Sequence, residues 1–229
     1  MDEVVVGLAL GTPLIQALLM GVIGYPLARR RPGGMERFHR SGFQWWIVAL
    51  LVVLASGAAL ASDTLALTSP AQHDPVTAAR VLITIVAGLA VLLIIEVLGE
   101  LWQAKSRSPA ARAGRERYEN ALPESVARTA TGEGALVGFV ALLEEAVYRG
   151  LALGSMLAIT DSKALAAGIV AIGFGFGHWY FGARQVLLKM LIGSVLCAVA
   201  LSAGWAAAAA THVLFNFVLV AWAHRAQRA

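Results

Sequence analysis

Two adjacent carboxylates and a guanidinium, Glu144, Glu145 and Arg149, stand inside an otherwise apolar run from about Gly134 to Ile159. The flanks, Ala135 to Ala141 and Leu151 to Leu157, are compatible with lipid, and a charged side chain near the bilayer centre costs roughly 2.5–3.5 kcal/mol on insertion scales. Charges retained at that cost point to a functional site. On a helix that advances about 100° per residue, Glu145 and Arg149 share a face and can pair, whereas Glu144 points about 100° away from Glu145. One glutamate is then neutralised and the other left free to react. A structural ion-pair cluster between packed helices, or a half-exposed helix at the membrane surface, would use the same residues.

Two further apolar segments offer polar groups at helical spacing. His178 follows Phe174 by four residues, and His212 precedes Asn216 by four, which puts the last two on one helix face. A single membrane histidine is commonly a hydrogen-bonded packing residue, so the weight lies in the ordered set of three. That set resembles the CAAX protease and bacteriocin-processing (CPBP, or Abi) family of intramembrane endopeptidases. Its motifs are Glu-Glu-x-x-x-Arg, Phe-x-x-x-His and His-x-x-x-Asn or Asp on successive core helices. They stand here as Glu144-Glu145-x-x-x-Arg149, Phe174-x-x-x-His178 and His212-x-x-x-Asn216, with the family's glycine at Gly150. Tyr148 replaces the phenylalanine often found before the arginine. The likeness covers about Glu133 to Val220.

The apolar segments predict an all-α fold, a polytopic transmembrane bundle of about seven spans, and the resemblance implies a conical polar catalytic cavity among the last four. It also implies roles. Glu144 and His178 correspond to the pair that activates the attacking water, His212 and Asn216 to the groups that hold the oxyanion, and Glu145 and Arg149 to support for the first glutamate. The implied substrate is a membrane-anchored protein or peptide: a CAAX-type end, a C-terminal sorting tail or a peptide awaiting maturation.

Peptide hydrolysis needs a base for water, donors where negative charge develops and an acid for the leaving amine. A glutamate desolvated in a membrane cavity suits the first task, and a neighbouring histidine can orient the water or shuttle the proton. No serine or cysteine has a comparable base partner. The expected enzyme uses no cofactor. Zinc is the rival, since two glutamates, two histidines and an asparagine could bind it, but the usual pattern of two histidines on one helix is absent and Arg149 places positive charge beside Glu145. A non-enzymatic transporter or immunity protein is the other rival, although no paired inverted repeat is visible.

Composition sets the context for these residues. Of 229 residues 59% are hydrophobic and only 14% charged, with a mean hydropathy of +0.72, far from the soluble balance in which about a quarter of residues are charged. The chain reads as a single integral membrane domain. Its net charge of +4 comes largely from arginines between apolar spans. No basic stripe interleaved with aromatics points to nucleic acid. Cys197 is the only cysteine, which excludes an intrachain disulfide and a multi-cysteine zinc site; packing is its expected role.

In chain order the expected spans are about Val4 to Ala28, Phe43 to Ala61, Arg80 to Trp102, Gly134 to Ile159, Ala164 to Trp179, Val186 to Ala203 and Trp205 to Trp222. The first, opened by Asp2 and Glu3 and closed by Arg29-Arg30-Arg31, is expected to be retained with its N-terminus outside. The basic loop 105–132 and the tail with Arg225 and Arg228 then fall on the cytoplasmic side of a cell membrane, in keeping with a bacterial inner membrane. Glu96 and Glu100 end the third span on one face and either line the site or emerge among headgroups. Lys189 is expected to snorkel to the inner surface. The alternating Gly173, Gly175 and Gly177 lower helix propensity but permit close backbone approach.

Overall fold

The computed structural model describes residues 75–105, 130–179 and 182–226, which form helices joined by short turns. Six α-helices are named here in chain order: α1 Pro75–Lys105, α2 Ala130–Glu145, α3 Leu153–Thr160, α4 Lys163–Phe176, α5 Ala183–Ala203 and α6 Trp205–Ala226. A π-helical segment, Ala146–Ala152, joins α2 to α3 without a break. The first two expected spans and most of the basic loop lie outside the described residues.

Among the described residues, three helices are long and apolar enough to cross a membrane: Ala78–Trp102 within α1, Ala183–Ala203, and Trp205–Arg225 within α6. Helix α5 is central, packing on α1, α4 and α6, while α6 also packs on α2 and α1. Their seam is filled by Leu92, Ile192, Leu196, Val199, Ala207, Ala208 and Phe215, all buried. The opposite face of α1 exposes Leu82, Ile83, Val86, Ile94, Leu98 and Leu101.

Turns between the last helices are short, and each has a local cause. Helix α3 ends where Asp161 takes a left-handed conformation (φ 50°), and Ser162 then caps α4 by accepting from the Leu165 N–H. Helices α5 and α6 are joined by Gly204 alone, at φ 87°, a conformation that costs glycine little.

Two elements differ from the expected continuous spans. The glutamate helix is not α-helical throughout, since its middle loosens into the π segment directly after Glu145. The fifth span is also shorter than expected. Helix α4 stops at Phe176, and fourteen residues at a rise of about 1.5 Å cover about 21 Å, less than the roughly 30 Å hydrocarbon core. Its glycine-rich end closes as a tight turn, with the Gly177 N–H donating to the Gly173 carbonyl and the His178 N–H to the Gly175 carbonyl. His178 therefore sits in a buried turn rather than on a helix face.

Candidate active site

The π segment and the ends of α2 and α4 bring the charged residues together, and the first cluster forms around Glu145. This residue is fully buried. Its Oε1 accepts from Arg149 Nη1 at 2.8 Å and from His212 Nδ1 at 2.8 Å. Arg149, also fully buried, donates from Nη2 to the Gly193 carbonyl of α5 at 3.1 Å, and its guanidinium lies 4.6 Å from the Phe174 ring centroid. One arginine thus connects the π segment, α4 and α5. Its planar fork and its affinity for aromatic faces are used together, which a lysine could not reproduce.

The second cluster pairs Glu144 with His178, both buried, at 3.8 Å between Oε1 and Nε2. His178 Nδ1 lies 2.8 Å from the Phe174 carbonyl. A carbonyl can only accept, so Nδ1 carries the proton and Nε2 of the neutral ring is an acceptor turned to Glu144. Two acceptors at this separation are too far apart for a direct hydrogen bond but close enough for one water to donate a proton to each. The oxygen of such a water keeps a lone pair for attack.

Phe174 joins the two clusters. Its ring meets Tyr148, His178 and His212 edge-on, with centroids 5.1, 5.0 and 6.1 Å away, while its carbonyl sets the His178 tautomer. Asn216, one turn beyond His212 on α6, donates to the Val137 carbonyl of α2 at 3.5 Å, a long contact.

All six residues singled out in the sequence thus lie in the described structure, and five of them, Glu144, Glu145, Arg149, His178 and His212, are buried there. His212 is joined to Glu145 rather than to Asn216. Lys189 corrects the expectation of snorkelling. It is buried, 9% exposed, within electrostatic reach of Glu96, Glu144 and His178. The sequence signal for this was available: Lys189 falls within an apolar run of α5, with a leucine on its N-terminal side and a methionine on the other. Glu96 and Glu100 part company, Glu96 being half-buried and Glu100 exposed.

Buried carboxylates, imidazoles and a guanidinium thus meet among helices of which several are long and apolar enough to cross a membrane. Residues 134–218 match the model of the type II CAAX prenyl endopeptidase Rce1-like family, which lies within the CAAX protease and bacteriocin-processing family. The chain is accordingly an intramembrane protease. No curated protein and no solved structure matches the chain.

Proposed function

We propose that the protein hydrolyses a peptide bond near the end of a membrane-anchored protein or peptide, using water activated by Glu144 and His178 in a conical cavity among its last four spans. The observation that carries this reading is the 3.8 Å approach of Glu144 Oε1 to His178 Nε2, with the opposite ring nitrogen committed to the Phe174 carbonyl. Water attacks the scissile carbonyl carbon as its proton passes to Glu144. The carbonyl oxygen becomes an oxyanion, the C–N bond breaks, and the leaving nitrogen takes the proton back.

His212 and Asn216 hold the oxyanion in this reading. His212 Nδ1 is anchored on Glu145, which leaves Nε2 to donate when it carries a proton. The long Asn216 contact to Val137 is readily exchanged for a substrate oxygen. Removing one such donor costs about 10²–10³ in kcat.

What supports a metal-free reaction is the use already made of the donor atoms. Glu145 Oε1 accepts from a guanidinium and an imidazole, and His178 Nδ1 serves a carbonyl. Among the described residues no three His, Cys, Asp or Glu side chains are arranged to hold a metal ion. The substrate and the lipid bilayer are the partners in this reading; nucleic acid has no place in it.

The test uses purified protein in lipid nanodiscs with two peptide probes, one ending in a prenylated CAAX sequence and one in an unprenylated apolar tail. Wild type is expected to cleave at least one of them. Glu144→Gln keeps the shape but cannot take a proton, so kcat should fall about 10²–10⁴-fold. Chelation should leave the wild-type rate unchanged; cleavage that disappears with chelator and returns with zinc would overturn the mechanism.

A further inference from the structure

Among the described residues, helix α1 lies outside the matched segment, and it brings a charge toward the site. Gly99 of α1 lies against the Leu188 side chain and Gly88 against Val199, so α1 and α5 run antiparallel with Glu96 beside the Lys189–Ile192 turn of α5. Across α5, a Cβ on Gly175 would stand 2.7 Å from the Val186 carbonyl oxygen and 3.1 Å from the Met190 nitrogen. The turn that carries His178 is therefore seated on the same stretch of α5. Lys189 stands on this stretch of α5 and is buried, Glu96 of α1 is half-buried, and Lys189 interacts electrostatically with Glu96, Glu144 and His178.

An ammonium held at such a place is costly to bury alone and is tolerated only with compensating charge. Glu96 supplies that compensation from α1, and Glu144 from α2. The charged and titratable groups around Glu144 are Glu145 and Arg149 at the π segment, His178 after α4, Lys189 on α5 and His212 on α6, while Glu96 and Glu100 of α1 act on each other and Glu96 on Lys189. Arg149 is already engaged by Glu145 and His212 is bonded to the same carboxylate, whereas Lys189, which also acts on both Glu144 and His178, comes from α5 and is the leading charge at His178.

We infer that Lys189, held in place by Glu96, is a positioning residue that keeps Glu144 as the carboxylate and His178 as the neutral imidazole, the forms in which both can accept a proton from water. This deepens the proposed function and rests on it for the base role of Glu144. It also assigns α1 a part in the reaction, since Glu96 lies outside residues 134–218.

The test uses the full chain in lipid nanodiscs with Lys189→Met, Lys189→Arg and Glu96→Gln. One readout needs no turnover: dicyclohexylcarbodiimide modifies protonated carboxyl groups in apolar surroundings, and peptide mass spectrometry measures its yield at Glu144 at neutral pH. Lys189→Met should raise that yield about tenfold, a fold-change of the size one buried charge commonly brings. Lys189→Arg should restore it toward wild type, and Glu96→Gln should fall between. The second readout is cleavage of the prenylated or unprenylated peptide, where Lys189→Met should lower kcat about tenfold and leave KM unchanged.

Equal Glu144 labelling in wild type and folded Lys189→Met would overturn the inference. A raised KM with unchanged kcat would also overturn it, by making Lys189 a contact for the substrate. Should Lys189→Met fail to fold, Glu144 labelling in Glu96→Gln equal to wild type would overturn it as well. If wild type cleaves neither peptide, the proposed function fails on that result alone, while the labelling decides the electrostatic role separately.

Discussion

Glu145 and Arg149 form a heavily committed pair, since neither touches solvent and each has a second partner, His212 for the glutamate and the Gly193 carbonyl for the arginine. Removing one member of a buried pair leaves an uncompensated charge, at a cost of about 3–5 kcal/mol. Arg149→Met is therefore expected to reduce folded protein and its thermal stability along with activity. Arg149→Lys should not recover either, because an ammonium cannot serve Glu145, Gly193 and the Phe174 face at once. Thermal unfolding in detergent, followed beside cleavage, checks this; a stable and active Arg149→Met would show the pair to be dispensable. Asn216 presents the opposite case. Its single long contact makes Asn216→Ala nearly neutral for stability, so a kcat loss of about 10²–10³-fold with KM little changed would mark it as an oxyanion donor.

At the scale of elements, the approach of α4 to α5 governs where His178 stands. The backbone of α5 lies so near Gly175 that a methyl group there would meet the Val186 carbonyl oxygen at 2.7 Å, and backbone cannot swing aside as a side chain can. Gly175→Ala should separate the helices, with a loss of roughly 1–3 kcal/mol from overpacking, and should lower activity through His178. Gly168, on the same helix, has nothing within 4 Å of the added carbon, so Gly168→Ala is the matched control and should preserve or slightly raise stability. The contrast between the two melting temperatures is the measurement; equal behaviour would remove the packing argument. The π segment is the other element-scale device. Its wider turn directly follows Glu145 and carries Arg149, in keeping with the frequency of π segments at functional sites.

For the whole molecule, the open quantity is orientation. By the positive-inside rule, the arginine-rich segments are expected to put 105–132 and the C-terminus on the cytoplasmic side. Cys197 is buried, so an introduced cysteine can be labelled with little background. A cysteine at position 115 should react with a membrane-impermeant maleimide only after the membrane is opened, in right-side-out cells. Reaction in intact cells would invert the topology and place the site's approach on the other face.

The motifs and the membrane class were legible in the sequence because both rest on local patterns: apolar length, the cost of charge in lipid, and i to i+4 spacing. That is why the pairing of Glu145 with Arg149 and the separate direction of Glu144 could be read from residue numbers. Contacts between helices carry no such pattern. That His212 bonds to Glu145, that Arg149 reaches the Gly193 carbonyl and that Lys189 turns inward all depend on the rotation and register of α5 and α6, which close packing at small residues sets in three dimensions. The π turn after Glu145 and the early end of α4 were hidden for the same reason. A helix changes its pitch or stops according to what it packs against, and only the tertiary structure determines that.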